Sequence, residues 1–84
     1  MELGTYGPTG LTFIWNDDFE ITVDTTSPEV VIAANPAGLT SLARHLLTLA
    51  QEGVPDGAHL HLTAGQELTS TVDLILERRA STDA

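Results

Sequence analysis

Eighty-four residues carry twelve acidic side chains against three arginines and no lysine, a formal net charge of −9 with histidine neutral. The length suits one domain, 1–84, with one core, and 42% hydrophobic against 18% charged residues excludes a disordered acidic tail. A chain this acidic is repelled by phosphate backbones, and Arg44, Arg78 and Arg79 are too few for a polybasic membrane contact, so neither nucleic acid nor a membrane is an expected partner.

The absence of cysteine removes disulfide scaffolds, thiolate zinc sites and cysteine nucleophiles together. It also favours a reducing cytoplasm as the expected compartment. Met1 to Pro8 show neither a basic n-region nor an apolar h-region, so a secretory leader is not expected. The apolar runs fall well short of the roughly 20 residues that a membrane-spanning helix requires.

Residues 1–10, with Gly4, Gly7, Pro8 and Gly10, read as a flexible lead-in. Leu11 to Asn16 alternates and predicts a strand with Leu11, Phe13 and Trp15 on one face. Asn16-Asp17-Asp18 is turn chemistry, and Phe19 to Asp24 alternates again, which predicts a hairpin with Phe19, Ile21 and Val23 inward. After the break at Thr25–Pro28, Glu29 to Ala34 is more continuously apolar, the pattern of a strand covered on both faces or central in its sheet. Asn35 and Pro36 then begin a helix, an N-cap followed by a residue suited to the first turn. Leu39, Leu42, Ala43, Leu46, Leu47, Leu49 and Ala50 form its apolar stripe; Ser41, Arg44, His45, Thr48 and Glu52 fall on the expected wet side. Gly53 and Pro55 mark its end. Ala58 to Thr63 and Thr71 to Glu77 predict two further strands around a loop, and 79–84 reads as a frayed tail.

One amphipathic helix covers one face of a sheet, so the expected fold is α+β: a two-layer sandwich, mainly antiparallel, in the order β-β-β-α-β-β. The open face is expected to show Thr12, Ile14, Glu20, Thr22, Asp24, His59, His61, Asp73, Ile75 and Glu77. Apolar and acidic residues mixed in this way suit a protein-binding surface, although an ordinary solvated face is the commoner use in small antiparallel sheets.

His59 and His61, two apart on a strand, project from the same side and form a candidate metal pair that Asp73 or Glu77 would complete. No third ligand stands at a diagnostic spacing, and structural histidines are the commoner use, so no cofactor is expected. Asp17 and Asp18 are adjacent, and successive side chains diverge, so they read as turn residues and not as a catalytic dyad. Ser27, Ser41, Ser70 and Ser81 lack a nucleophile-elbow context, and the glycines precede a strand where a phosphate loop would open a helix. The chain is not expected to be an enzyme. Trp15 reads as a core residue by default, with an interface position as the alternative.

The segment from Asn35 to Ala50 has the pattern N-x-x-G-L-x-x-L-A-x-x-L-x-x-L-A, followed by a Pro/Gly loop, the histidine strand Gly57 to Leu62 and the closing strand Val72 to Glu77. Over about residues 30–78 this order resembles the immunity protein 32 family of bacterial polymorphic toxin systems. Where that pattern often carries an acidic residue after the strand leucine, this chain has Thr63. The resemblance implies a non-enzymatic, cytoplasmic inhibitor that binds a cognate toxin. The acidic balance adds an expectation of a basic toxin surface. The expected contacts are Asp17, Asp18, Glu20, Asp24, His59, His61, Asp73 and Glu77, with Ile14 or Ile75 as apolar anchors. Two alternatives stand beside this reading. One is a self-associating accessory module, a homodimer packed through the open face; the other is a metal-binding domain on His59 and His61.

Overall fold

In the computed structural model, which describes residues 1–80, six short strands flank one helix. In chain order these are β1 (Tyr6–Gly7), β2 (Gly10–Leu11), β3 (Ile21–Asp24), β4 (Val31–Ala34), α1 (Pro36–Ala50), β5 (His59–Leu62) and β6 (Leu74–Glu77). They pair antiparallel as three two-stranded ladders, β1–β2, β3–β4 and β5–β6. The class is therefore α+β. Residues 81–84 of the expected frayed tail lie outside the described residues.

The core joins the helix to both longer ladders. Ile21 and Val23 of β3, Leu42 of α1, Leu62 of β5 and Leu68 from the loop before β6 are buried together. Phe19, Leu60, Val72, Leu74 and Leu76 pack around them, as their alternation predicts, and Trp15 joins them. Leu68 belongs to the loop expected between the last two strands. Its N–H and C=O bond to Thr63 and Gly65, and the Thr69 N–H donates to Ile21 O at 2.9 Å, so this loop is stitched to β3 and its leucine points inward.

Two elements depart from the expected pairing. The hairpin of Leu11–Asn16 with Phe19–Asp24 does not form: Leu11 pairs with Tyr6, and β3 takes β4 as its partner, Ile21 opposite Ala34 and Asp24 opposite Val31. The aromatic alternation in residues 13–19 serves ring packing and not a ladder. Phe13 and Trp15 meet the His45 ring at 5.3 and 4.2 Å, and Trp15 also lies 4.5 Å from Phe19. Tyr6, Gly7 and Gly10 of the expected lead-in form, with Leu11, the small β1–β2 ladder.

The helix is also turned relative to its expected face. Gly38, Ser41, Leu42, His45, Thr48 and Leu49 are buried, with Ser41, His45 and Thr48 fully so. Leu39, Leu46 and Leu47 are about half exposed. The reason lies in the irregular N-terminal segment, whose backbone groups find few ladder partners and must be satisfied some other way. Ser41 Oγ accepts from the Asn16 N–H at 2.8 Å. Thr48 Oγ1 accepts from the Gly4 N–H at 3.1 Å, and Gln51 Nε2 donates to Gly4 O at 2.8 Å. The hydroxyl stripe thus faces the chain that needs it. Gly38 permits the approach, because a Cβ there would stand 2.5 Å from Glu20 O.

Both ends of the helix follow local chemistry. Asn35 Oδ1 accepts from the Gly38 N–H at 2.8 Å and from the Glu20 N–H at 2.9 Å, while its Nδ2 donates to Asp18 O at 2.9 Å. One N-cap side chain therefore holds the helix start and the 18–20 turn together. At the other end Arg78 Nη1 donates to Leu49 O at 2.9 Å and Gln51 O at 2.6 Å, meeting carbonyls that the helix leaves unpaired.

Candidate functional site

The β5–β6 ladder presents the candidate face most directly. Its register sets His59 opposite Glu77 and His61 opposite Ile75, while Leu60, Leu62, Leu74 and Leu76 alternate to the inner side. The register is pinned before β5 by a glycine bulge. The Gly57 N–H donates to Arg78 O at 2.7 Å, the Arg78 N–H donates to Ala58 O at 2.9 Å, and Gly57 has φ +87°, a conformation that L side chains rarely adopt.

Asp73, just before β6, closes the face. Its Oδ2 lies 2.8 Å from His61 Nε2, and its Oδ1 accepts from the Ala64 N–H at 2.8 Å. The Ala64 N–H, then the His61 hydrogen bond, holds the Asp73 carboxyl below its ordinary pKa, so it stays ionised. Asp73 is both the anchor of the 63–64 turn and a surface charge. His59 Nδ1 lies 3.2 Å from Gly57 O, and Arg79 Nε lies 3.6 Å from Glu77 Oε2. Ile75 is about half exposed in the middle of these polar groups.

The remaining acidic candidates sit on the other ladder and its approach. Asp17 and Asp18 lie in the turn before β3, where Asp18 takes φ +63°, a region aspartate tolerates. Glu20 precedes β3. Asp24 ends it, and its Oδ1 accepts from the Thr26 N–H at 2.9 Å and the Thr26 hydroxyl at 2.7 Å. These two hydrogen bonds, the backbone one first, lower the Asp24 pKa. Four of the eight candidates therefore share the β5–β6 face, and four belong to the β3 side. Thr12 and Ile14 join neither face, because residues 12–16 are not in a ladder. Among the described residues, no group of three or more His, Asp or Glu side chains is placed to hold a metal ion.

An apolar groove of about 390 Å³ that the sequence pattern does not predict lies between the helix and β6, lined by Leu46, Leu49, Ala50, Ile75, Leu76, Glu77 and Arg78. The helical period contains the signal, since Leu46 and Ala50 lie on one stripe. Composition alone turns that stripe inward, because leucine outranks serine, histidine and threonine in hydrophobicity.

The three arginines are placed differently: Arg78 is built into the fold, Arg79 is exposed, and the buried Arg44 Nε has no hydrogen-bond partner. Arg78 caps the helix and lies 3.5 Å from Asp56 Oδ1, and Arg79 stands beside Glu77. The family model for immunity protein 32 matches residues 29–79, and the chain belongs to that family. Membership implies a non-enzymatic protein that neutralises a cognate toxin. No curated protein and no solved structure matches the chain. Among the described residues no helix is long and apolar enough to cross a membrane.

Proposed function

We propose that the chain neutralises its toxin in the cytoplasm of the producing cell by binding a basic toxin surface through its acidic side. The observation that supports this reading is the grouping of His59, His61, Asp73 and Glu77 around the exposed Ile75 on one ladder. Carboxylates at the rim steer a basic partner and set its orientation, while the isoleucine supplies apolar contact at the centre. Asp17, Asp18, Glu20 and Asp24 extend the negative field along the β3 side.

The test is co-expression with the toxin domain encoded in the neighbouring reading frame, followed by purification of the complex and binding kinetics. Wild-type protein protects the host and co-purifies with the toxin domain. Asp73→Asn with Glu77→Gln slows association by about tenfold, the size expected when steering charges are removed. Undiminished association of that double variant would remove the acidic-surface reading and leave the family assignment standing.

A further inference from the structure

The sequence of β4 and its position in the fold disagree. Val30-Val31-Ile32-Ala33-Ala34 is five uncharged residues without the alternation of a half-solvated strand, the composition of a strand covered on both faces or central in its sheet. The structure leaves it at an edge, with β3 as its one ladder partner among the described residues. Val30, Val31 and Ile32 are 68%, 44% and 43% exposed.

The hydrogen-bond pattern shows which groups the edge offers. The Asn35 N–H donates to Glu20 O at 3.1 Å, so in this antiparallel ladder residues 33 and 31 also direct their backbone groups at β3. Ile32 and Ala34 direct theirs away from it. The same alternation holds on β3, where Ile21 O faces the other way and accepts from Thr69. Edges of this kind are commonly blunted with lysine, proline or a bulge, and residues 30–34 contain no lysine or proline and pair in unbroken register at 31–34.

We propose that the outer edge of β4 is a strand-addition site whose occupant is an extended segment of the toxin with lysine or arginine at alternate positions. This rests on the reading that the chain binds its toxin, and it names how the toxin is held. Charge chooses the occupant. Beside β4 lies a shallow depression of about 260 Å³ lined by Glu20, Thr22, Ala33, Ala34 and Asn35. Ala33 and Thr22 are a cross-strand pair of small side chains. Strands lie about 4.8 Å apart, so a long basic side chain on an added strand spans β4 over Ala33 and reaches Glu20. Asp24, opposite Val31, and Glu29 extend the acidic rim, and the chain has no cation before Arg44. A second copy would bring the same carboxylates to the same edge. A basic strand supplies what they lack, with main-chain hydrogen bonds for affinity and alternate side chains for specificity.

Amide hydrogen exchange on the wild-type protein, free and bound to the toxin domain from the neighbouring reading frame, tests this. The Ile32 and Ala34 amides are expected to slow by about tenfold or more on binding, since both become ladder donors. Ile32→Pro removes one outward N–H without touching the bonds to β3, and Ile32→Thr keeps it. The proline variant is expected to bind at least about tenfold more weakly than the threonine variant. A complex that forms with both amides still exchanging freely overturns strand addition and leaves toxin binding intact. Protection of both amides in the free protein that grows with its concentration assigns the edge to a second copy instead. Failure of the wild-type chain to bind the toxin domain removes this inference together with the proposed function. The exchange measurement needs no variant, so it decides the matter even where Ile32→Pro fails to fold.

Discussion

The Gly4 N–H donates to Thr48 Oγ1 at 3.1 Å, a contact that spans 44 residues of sequence. The same hydroxyl donates to Arg44 O at 2.6 Å, one turn back in the helix. Thr48 is fully buried, so its oxygen stands where solvent cannot replace it. With Gln51 holding Gly4 O, the helix grips both backbone groups of one residue in a segment that has little regular structure of its own.

Thr48→Val preserves the shape and removes the acceptor, leaving a buried N–H without a partner. The expected cost is about 1–3 kcal/mol in urea unfolding, the desolvation penalty of an unpaired group. Thr48→Ser keeps the hydroxyl and is expected to lose less. Faster exchange of the Gly4 amide in the valine variant would tie the loss to this bond and not to general loosening.

His45 carries a pH dependence. Its ring is fully buried between Phe13 and Trp15, and neither ring nitrogen has a hydrogen-bond partner. Burial lowers its pKa from 6.5 to about 4. The unfolded chain therefore binds more protons between those values, so the contribution is complete above pH 6.5 and is lost as pH falls towards 4. The loss amounts to about 3 kcal/mol at most, since each tenfold change in proton affinity is worth about 1.4 kcal/mol. His45→Leu is expected to flatten unfolding free energy across this window. A slope unchanged in that variant would move the effect to other groups.

Gly38→Ala tests the close approach of the helix to β3. On an exposed helix the change would gain about 1 kcal/mol from propensity. Here the added Cβ meets Glu20 O at 2.5 Å and Ala34 Cβ at 3.0 Å. Backbone cannot swing aside as a flexible side chain can, so the expected net effect is a loss of about 1–3 kcal/mol, read as a lower melting temperature. A stabilised variant would show that the helix can shift without cost.

Local patterns legible in the sequence are those that a single element decides. Asn35 as N-cap and the inward alternation of Ile21, Val23, Leu60, Leu62, Leu74 and Leu76 follow from short-range rules and appear in the fold. The rotation of the helix is not legible in this way. Leucine outranks serine and threonine for burial until Asn16 and Gly4, 25 and 44 residues distant, present N–H groups that need acceptors. The grouping of one half of the candidate residues, by contrast, is legible. The spacing of His59, His61, Asp73 and Glu77 places them together, because one hairpin carries all four. Whether β4 lies inside a sheet or at its edge depends on which strand reaches its far side, and composition does not contain that choice.

Salt dependence separates steering from contact. If the carboxylates act mainly by long-range attraction, raising ionic strength shortens the Debye length from about 10 Å at 0.1 M to about 3 Å at 1 M and slows association with the toxin domain. Dissociation is expected to change much less, because apolar contact at Ile75 and main-chain bonding are weakly screened. Asp73→Asn sharpens the test. The new side-chain oxygen can still accept from Ala64, so the 63–64 turn is expected to hold with little change in melting temperature. Association should nevertheless slow and its salt slope should become shallower, since one steering charge is gone. Stopped-flow mixing across a salt series reads both quantities. An association rate that is flat in salt for wild type and variant alike would show that the negative charge of this chain serves solubility, with the toxin recognised through apolar and main-chain contacts alone.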